Sequence, residues 1–499
     1  MTEARMEAMH TAVPAQRVVS SRVWIAAVWL GAVAYAVLVT VESIADHDAF
    51  RTGVDTAVSD QLLWLMAHGH EPFSTVLTRP LLGIHFHPGL VLFTPLYWLD
   101  LGIPGLFAAQ SIALALTAPA LFALARQRGA SPVVASIPAF LWLACPWVAS
   151  VNLFEFRPDP FTPVLLVLSV LFAFQGRDVL LAMTMLLALS LKEDVALTYL
   201  VLGLLLAYLG RRRAGAWVSL AAAVWFVGAS LAIKYFGTSY EAFGQRWAGD
   251  RGETVPDALL WSLAHPLETL SDIGSQSLLG LVALLLSTAG LALLAPSWIL
   301  LTAPTVLYNA LSAYTSQHDL VHHHHLMTVT GLFVAAAIGV PRLTTIGRRG
   351  RLALSAGVGA AVLVAVLGGI RVHGIQGDSV VLEPAPTRAV LERIPPGVPV
   401  AATRTLLPHL SRRVEVYTLP EPFIPIDWGS SLTPDELAER AKRVRFVAYA
   451  EGDQVGTFYS GSLGVARSVP DVRPTLRREG FVLVARAGKV QIFERRRDG

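Results

Sequence analysis

The sequence predicts an all-α polytopic membrane bundle of about eleven transmembrane helices, followed by a small C-terminal α/β soluble domain. Three observations carry this. Hydrophobic residues make up 54% of the 499 and charged residues only 15%, with a mean hydropathy of +0.54. The apolar residues fall into long runs separated by short basic loops. After residue 370 the composition changes abruptly, and 33 of the last 128 residues are charged. A soluble chain of this composition would leave large apolar patches in water, which monomers avoid. A soluble enzyme, a disordered chain and a nucleic-acid binder are therefore disfavoured, although the pI is near 9.0.

The expected spans are 23–45, 105–125, 131–151, 161–174, 179–191, 195–210, 216–236, 277–295, 297–312, 326–341 and 352–370. The first run is too long for the core of a signal peptide and reads as a retained helix. The runs 161–174 and 179–191 fall short of the roughly 20 residues that cross a bilayer. The lone Cys145 excludes an internal disulfide and a cysteine metal site.

Short-loop arginines set the orientation. Arg5, Arg17 and Arg22 precede the first span, and Arg126, Arg128, Arg211, Arg212, Arg213, Arg348 and Arg349 share its side if that side is cytoplasmic. The sequence therefore predicts a cytoplasmic N-terminal tail at 1–22, a transmembrane domain at 23–371 and an extracytoplasmic domain at 372–499. In the last, 387–394 and 434–444 read as helices. Residues 398–402, 414–418, 445–450, 481–485 and 489–494 read as strands, with a hairpin turn at Arg486-Ala487-Gly488.

Nearly all acids and histidines of the membrane half fall in the outer loops. Asp46 and Asp48 read as solvated loop acids. Asp55 follows Gly53 at a helix start and suits either a helix cap or a base. Asp60, Gln61 and Trp64 stand at helical spacing among apolar residues, which describes an amphipathic helix at the membrane interface. His85 and His87 alternate around Phe86 and share a face in an extended segment. Glu155, Arg157 and Asp159 crowd a very short loop, and the planar fork of Arg157 suits a phosphate. Lys192, Glu193 and Asp194 join two short spans, where charge is costly and often marks a site. His318, Asp319 and His322 to His325 close the set, with Tyr314, His318 and His322 on one helical face. Zinc, a phosphate or sugar contact, and a structural polar cap all remain open for these histidines.

FRTGVDTAVSDQLLW, LGIHFHPGLVLFTPLYWL, FEFRPDPF and LKEDVALTYLVLG, followed by the late histidine run, resemble the membrane family called domain of unknown function 2079. The resemblance covers roughly residues 45 to 450 and keeps the motif order. One position departs: Ile84 stands where that family often has an acid, which weakens a metal or acid role for His85. The family is similar in layout to GT-C glycosyltransferases, multispan proteins with an essential acid in the first outer loop and a polyprenyl-phosphate sugar donor.

That likeness implies a GT-C-like transferase acting on an extracytoplasmic acceptor. Asp55 is then the base, with Asp60 or Asp48 in reserve. His85, His87, Glu155, Arg157, Lys192, Glu193, His318 and His324 are the substrate-binding candidates. The implied partners are the bilayer and a polyprenyl-phosphate-linked sugar. A divalent metal is compatible with the sequence and not required by it. The rivals are a transporter or lipid flippase, and a non-catalytic envelope assembly protein.

Overall fold

A computed structural model describes residues 15–237, 247–252, 255–313, 315–345, 347–376, 380–424, 432–453, 458–459, 466–467 and 471–496. Most of the expected N-terminal tail, together with Arg5 and Tyr314, lies outside the described residues.

The chain enters through α1 (Ala15–Asp48) and turns into α2 (Val54–Ala67). The bundle continues with α3 (Gly102–Gln127), α4 (Pro132–Leu143), α5 (Pro146–Phe154), α6 (Thr162–Gln175), α7 (Asp178–Leu189), α8 (Val195–Tyr208), α9 (Arg212–Phe236), α10 (Pro266–Ser287), α11 (Leu326–Gly339) and α12 (Arg348–Gln376). Among the described residues, five helices are long and apolar enough to cross a membrane. A sixth span forms if α4 and α5, bent by 42° at Cys145-Pro146, are counted as one. Four further apolar helices are shorter.

Every residue of α11 is buried, so this helix is the axis of the bundle. Apolar side chains of α1, α9 and α12 instead stand exposed, among them Leu30, Val37, Leu220, Leu231, Val362 and Ile370. In a membrane protein such a belt faces lipid. The span expected at 297–312 is not one helix. It is broken into Pro296–Ile299, Leu300–Thr302 and Ala303–Ala310, with Pro296 and Pro304 each in the first turn of a new piece. Proline lacks the amide hydrogen that would continue the preceding helix.

The C-terminal region folds into α13 (Pro384–Leu391), β1 (Val400–Ala402), β2 (Val416–Thr418), α14 (Pro434–Arg443), β3 (Phe446–Ala450), α15 (Arg473–Arg478), β4 (Phe481–Ala487) and β5 (Val490–Arg495). The sheet order is β2-β1-β3-β5-β4; β1 pairs in parallel with β2 and β3, and β5 pairs antiparallel with β3 and β4. Thr433 and Glu436 form a reciprocal cap that starts α14. Gly488 supplies the left-handed residue of the β4–β5 turn at φ 53°.

Alternation along the strands divides the sheet's two faces. Ala401, Tyr417, Val447 and Phe481 pack on Val472 and Leu476 within the C-terminal region. Val400, Ala402, Val416, Ala448 and Ile492 join a core that also contains Phe50, Leu62, Leu63, Leu90, Leu106 and Phe156 from the membrane half. The sheet is thus seated on the first loop rather than tethered beside it. Helix α2 lies in the middle of this contact, with Thr56 to Leu63 buried. It is therefore not the exposed interfacial helix its periodicity suggests.

Candidate functional site

The site begins where α2 meets the loop after α5. The first amides of a helix have no partner inside it. Here the Thr56 amide donates to Glu155 Oε2 at 2.8 Å, and the Phe156 amide donates back to Thr56 Oγ1 at 3.2 Å. An anion at a helix N-terminus also opposes the helix dipole favourably. Gln110 of α3 fixes the same loop by accepting the Arg157 amide at 2.9 Å and donating to the Asn152 carbonyl at 3.1 Å. Gly53 leaves room for this contact: a Cβ there would meet Arg404 Nε at 2.5 Å and Glu155 Oε1 at 3.0 Å, and those side chains would have to shift.

This anchoring sets Asp55, in the first turn of α2, against Arg157, whose Nη1 donates to Asp55 Oδ2 at 2.6 Å. Arg157 Nε donates to Asp159 Oδ1 at 3.0 Å. Lys192 Nζ lies 3.1 Å from Asp194 Oδ2 and 3.9 Å from Asp159 Oδ2. Glu193 points the other way, accepting the Phe86 amide at 3.1 Å with His85 Nδ1 at 2.8 Å. His87 is buried beside this group, 6.0 Å from His85 between ring centres.

Burial, reinforced by His85 and opposed by Glu193, pushes the His87 imidazolium down to about 3, so the ring is neutral. Burial opposes the charge on Glu193, but His85 and Lys192 outweigh it and bring that carboxyl down to about 2. Burial, helped by the Asp55 charge and countered by Arg404, raises Glu155. Asp194 is likewise raised by burial against the pull of Lys192. Asp55 differs from the other acids of the cluster in access. Its side chain is 40% exposed, against 34% for Asp194, 17% for Glu193, 6% for Asp159 and 3% for Glu155.

The histidine run lies over the same cations. His323 to His325 form one turn leading into α11, and His324 lies within electrostatic reach of Lys192 and Arg157. Among the described residues, the buried His322 and His323 Nδ1 atoms meet no hydrogen-bond partner. Among the described residues, no three His, Cys, Asp or Glu side chains are grouped so as to hold a metal ion.

Two sequence candidates fall elsewhere. Asp60 is fully buried, accepting from Tyr97 and Ser411 hydroxyls at 2.6 Å each, with Arg412 Nε at 3.4 Å. Burial outweighs these partners and raises its carboxyl. It joins α2 to the C-terminal region through Ser411 and Arg412. His318 Nε2 is 2.7 Å from the Ser312 carbonyl, and that contact holds it within its own loop. Asp46 pairs with Arg51, and Asp48 with Arg388.

Sequence reasoning missed Arg404, whose Nη2 donates to Glu155 Oε1 at 3.1 Å. The available signal was the strand–helix–strand order around 398–450, because sites in such folds gather where parallel strands end.

The model of a family described as a predicted membrane protein (DUF2079) matches residues 46–428. The chain belongs to that family. The matched stretch contains every residue of the cluster, from Asp55 to Arg404. No curated protein matches the chain. Among solved structures, ArnT from Cupriavidus metallidurans bound to undecaprenyl phosphate aligns at 14% identity and a TM-score of 0.54, covering 93% of this chain and 97% of that one. The apo state of the same protein aligns at 14% identity and a TM-score of 0.50, covering 92% and 97%. This DUF2079 member therefore shares its fold with ArnT, with a small sheet region at its C-terminal end.

Proposed function

We propose that this protein is a membrane glycosyltransferase that moves a sugar from a polyprenyl-phosphate carrier to an acceptor hydroxyl outside the cytoplasmic membrane. The observation that carries the reading is Asp55. It is an accessible carboxylate on the first loop of a GT-C fold, 2.6 Å from an arginine and gathered with Lys192 and the histidines. The short-loop arginines support placing this end of the bundle outside.

Transfer breaks the bond from the anomeric carbon to the phosphate oxygen and forms one to the acceptor oxygen. The acceptor hydroxyl gives its proton to Asp55 as it attacks. The leaving phosphate gains charge, and preorganised donors are most useful there. Arg157 Nη2 has no hydrogen-bond partner among the described residues, and Lys192 shares Asp159 with this arginine. Both suit the phosphate, with neutral imidazoles as further donors. Glu155 orients the start of α2 and with it Asp55.

The deciding experiment incubates the purified protein, in lipid nanodiscs, with a panel of labelled polyprenyl-phosphate sugars. Release of the polyprenyl phosphate with transfer of label supports the reading. Lack of turnover across the panel, with no binding of undecaprenyl phosphate, rejects it.

A further inference from the structure

Arg404 sits at the end of β1, in the turn that begins Arg404–His409. The connection leaving β1 leads to β2 on one side, and the chain leaving β3 leads toward β5 and β4 on the other. Adjacent parallel strands whose connections diverge leave a crevice at their carboxyl ends, the usual ligand site of open α/β sheets. The crevice is well built. Thr403 donates its amide to the Ala448 carbonyl at 3.0 Å, and Thr405 donates its amide and hydroxyl to Asp453 Oδ2 at 2.9 and 2.8 Å. Because the sheet is seated on α2, Arg404 at this end of the strands lies against Gly53 and within electrostatic reach of Asp55.

The arginine is under-used as a structural latch. Nη2 meets Glu155, while Nε and Nη1 have no hydrogen-bond partner among the described residues. Its side chain is 34% exposed, whereas Glu155 beneath it is 3% exposed. Arg157 is committed to Asp55 and Asp159, and Lys192 to Asp194, so Arg404 has the most uncommitted donors among the cations. His322, with its buried unpartnered Nδ1, lies within electrostatic reach of both arginines. A planar fork with open N–H groups is the geometry that takes a phosphate or carboxylate.

We propose that Arg404, presented by the switch-point crevice of the C-terminal sheet beside Asp55, binds an anionic group of a substrate at a subsite separate from Arg157 and Lys192. This rests on the glycosyltransferase reading for its meaning: the anion belongs either to a water-soluble acceptor or to the lipid carrier. The C-terminal region then contributes directly to substrate choice.

The test uses the full chain in nanodiscs and two probes, inorganic phosphate and undecaprenyl phosphate, with binding read by calorimetry. Arg404→Gln should weaken one of them by about 10-fold or more, the loss expected of a charge-assisted hydrogen bond. Arg404→Lys should recover part of it. Loss confined to inorganic phosphate assigns the subsite to a soluble substrate, and loss confined to undecaprenyl phosphate assigns it to the carrier. Unchanged binding of both probes in Arg404→Gln overturns the proposal and leaves Arg404 as a latch on Glu155. Equal loss in the Gln and Lys variants together with a lowered unfolding temperature overturns it too. If the wild-type chain binds undecaprenyl phosphate and Arg404 is indifferent, only this inference fails. If the wild type binds inorganic phosphate through Arg404 but no lipid phosphate, the glycosyltransferase reading fails and the subsite stands.

Discussion

At the scale of the residue, access and commitment separate roles that composition cannot. Five carboxylates surround three cations, but Asp55 is the most exposed of the acids. A base contributes about 10²–10⁴-fold to a proton-transfer step. Asp55→Asn should therefore lower sugar transfer by about that factor while leaving the unfolding temperature near that of the wild type. Arg157→Ala should act differently. A group that holds the phosphate in ground and transition states alike mainly raises KM for the lipid donor, although the burial of Asp159 beside it adds a cost in stability. Steady-state kinetics against donor concentration distinguishes the two variants. Asp55, Arg157 and Lys192 were legible in the sequence because charge beside apolar runs is costly. Arg404 was not, since it is one of 18 basic residues in a region where charge is ordinary.

At the scale of the element, helix α2 explains how a loop acid acquires a fixed direction. Its first turn is capped by a side chain 99 residues away, and the capping loop is in turn held by α3. Glu155→Ala leaves the Thr56 amide without its partner and Arg404 without its acceptor. Loss of a cap costs about 0.5–2 kcal/mol, so the unfolding temperature should fall and turnover should fall with it as Asp55 loses its direction. Protonation sharpens the test. The raised Glu155 carboxyl means that the folded chain holds this proton more tightly than the unfolded chain. The stability this gives is complete below the ordinary carboxylate range and is lost as pH rises through the elevated folded value. Glu155→Gln cannot titrate, so its unfolding temperature should vary less with pH across that interval than the wild type's. An unchanged pH profile in Glu155→Gln would reject the assignment. The amphipathic pattern of α2 identified it as a helix but not its surroundings. Thr56, Asp60 and Gln61 face polar partners, including Ser411 and the Arg413 carbonyl, and a polar stripe reads the same whether it meets water or protein. The broken stretch at 296–310 was misread for a related reason: hydropathy averages over Pro296 and Pro304, whereas the backbone cannot.

At the scale of the whole molecule, the chain is held together by which face of the C-terminal sheet each strand residue joins. Strand positions and the hairpin at Gly488 were readable from alternation, because period two is a local property. That the two faces have different owners was not, since Val400 and Ala401 are equally apolar in a sequence. One face closes on α15 through Val472 and Leu476 and is complete within the region. The other closes on Phe50, Leu62, Leu63 and Phe156, which belong to the membrane half. Residues 380–496 expressed alone should therefore show dispersed amide signals from the complete face. They should also bind a hydrophobic dye through the orphaned face around Leu406, Leu407, Leu410 and Ile492, since contiguous exposed apolar surface seeks a partner. Substituting Leu407 with Lys in that fragment should reduce dye binding and self-association. The same substitution in the full chain, where Leu407 is fully buried, should be destabilising by several kcal/mol unless the lysine escapes to water. A random-coil amide spectrum across the fragment would mean that neither face is self-sufficient. A monomeric, dye-silent fragment would mean that the seat on α2 is a contact rather than a core.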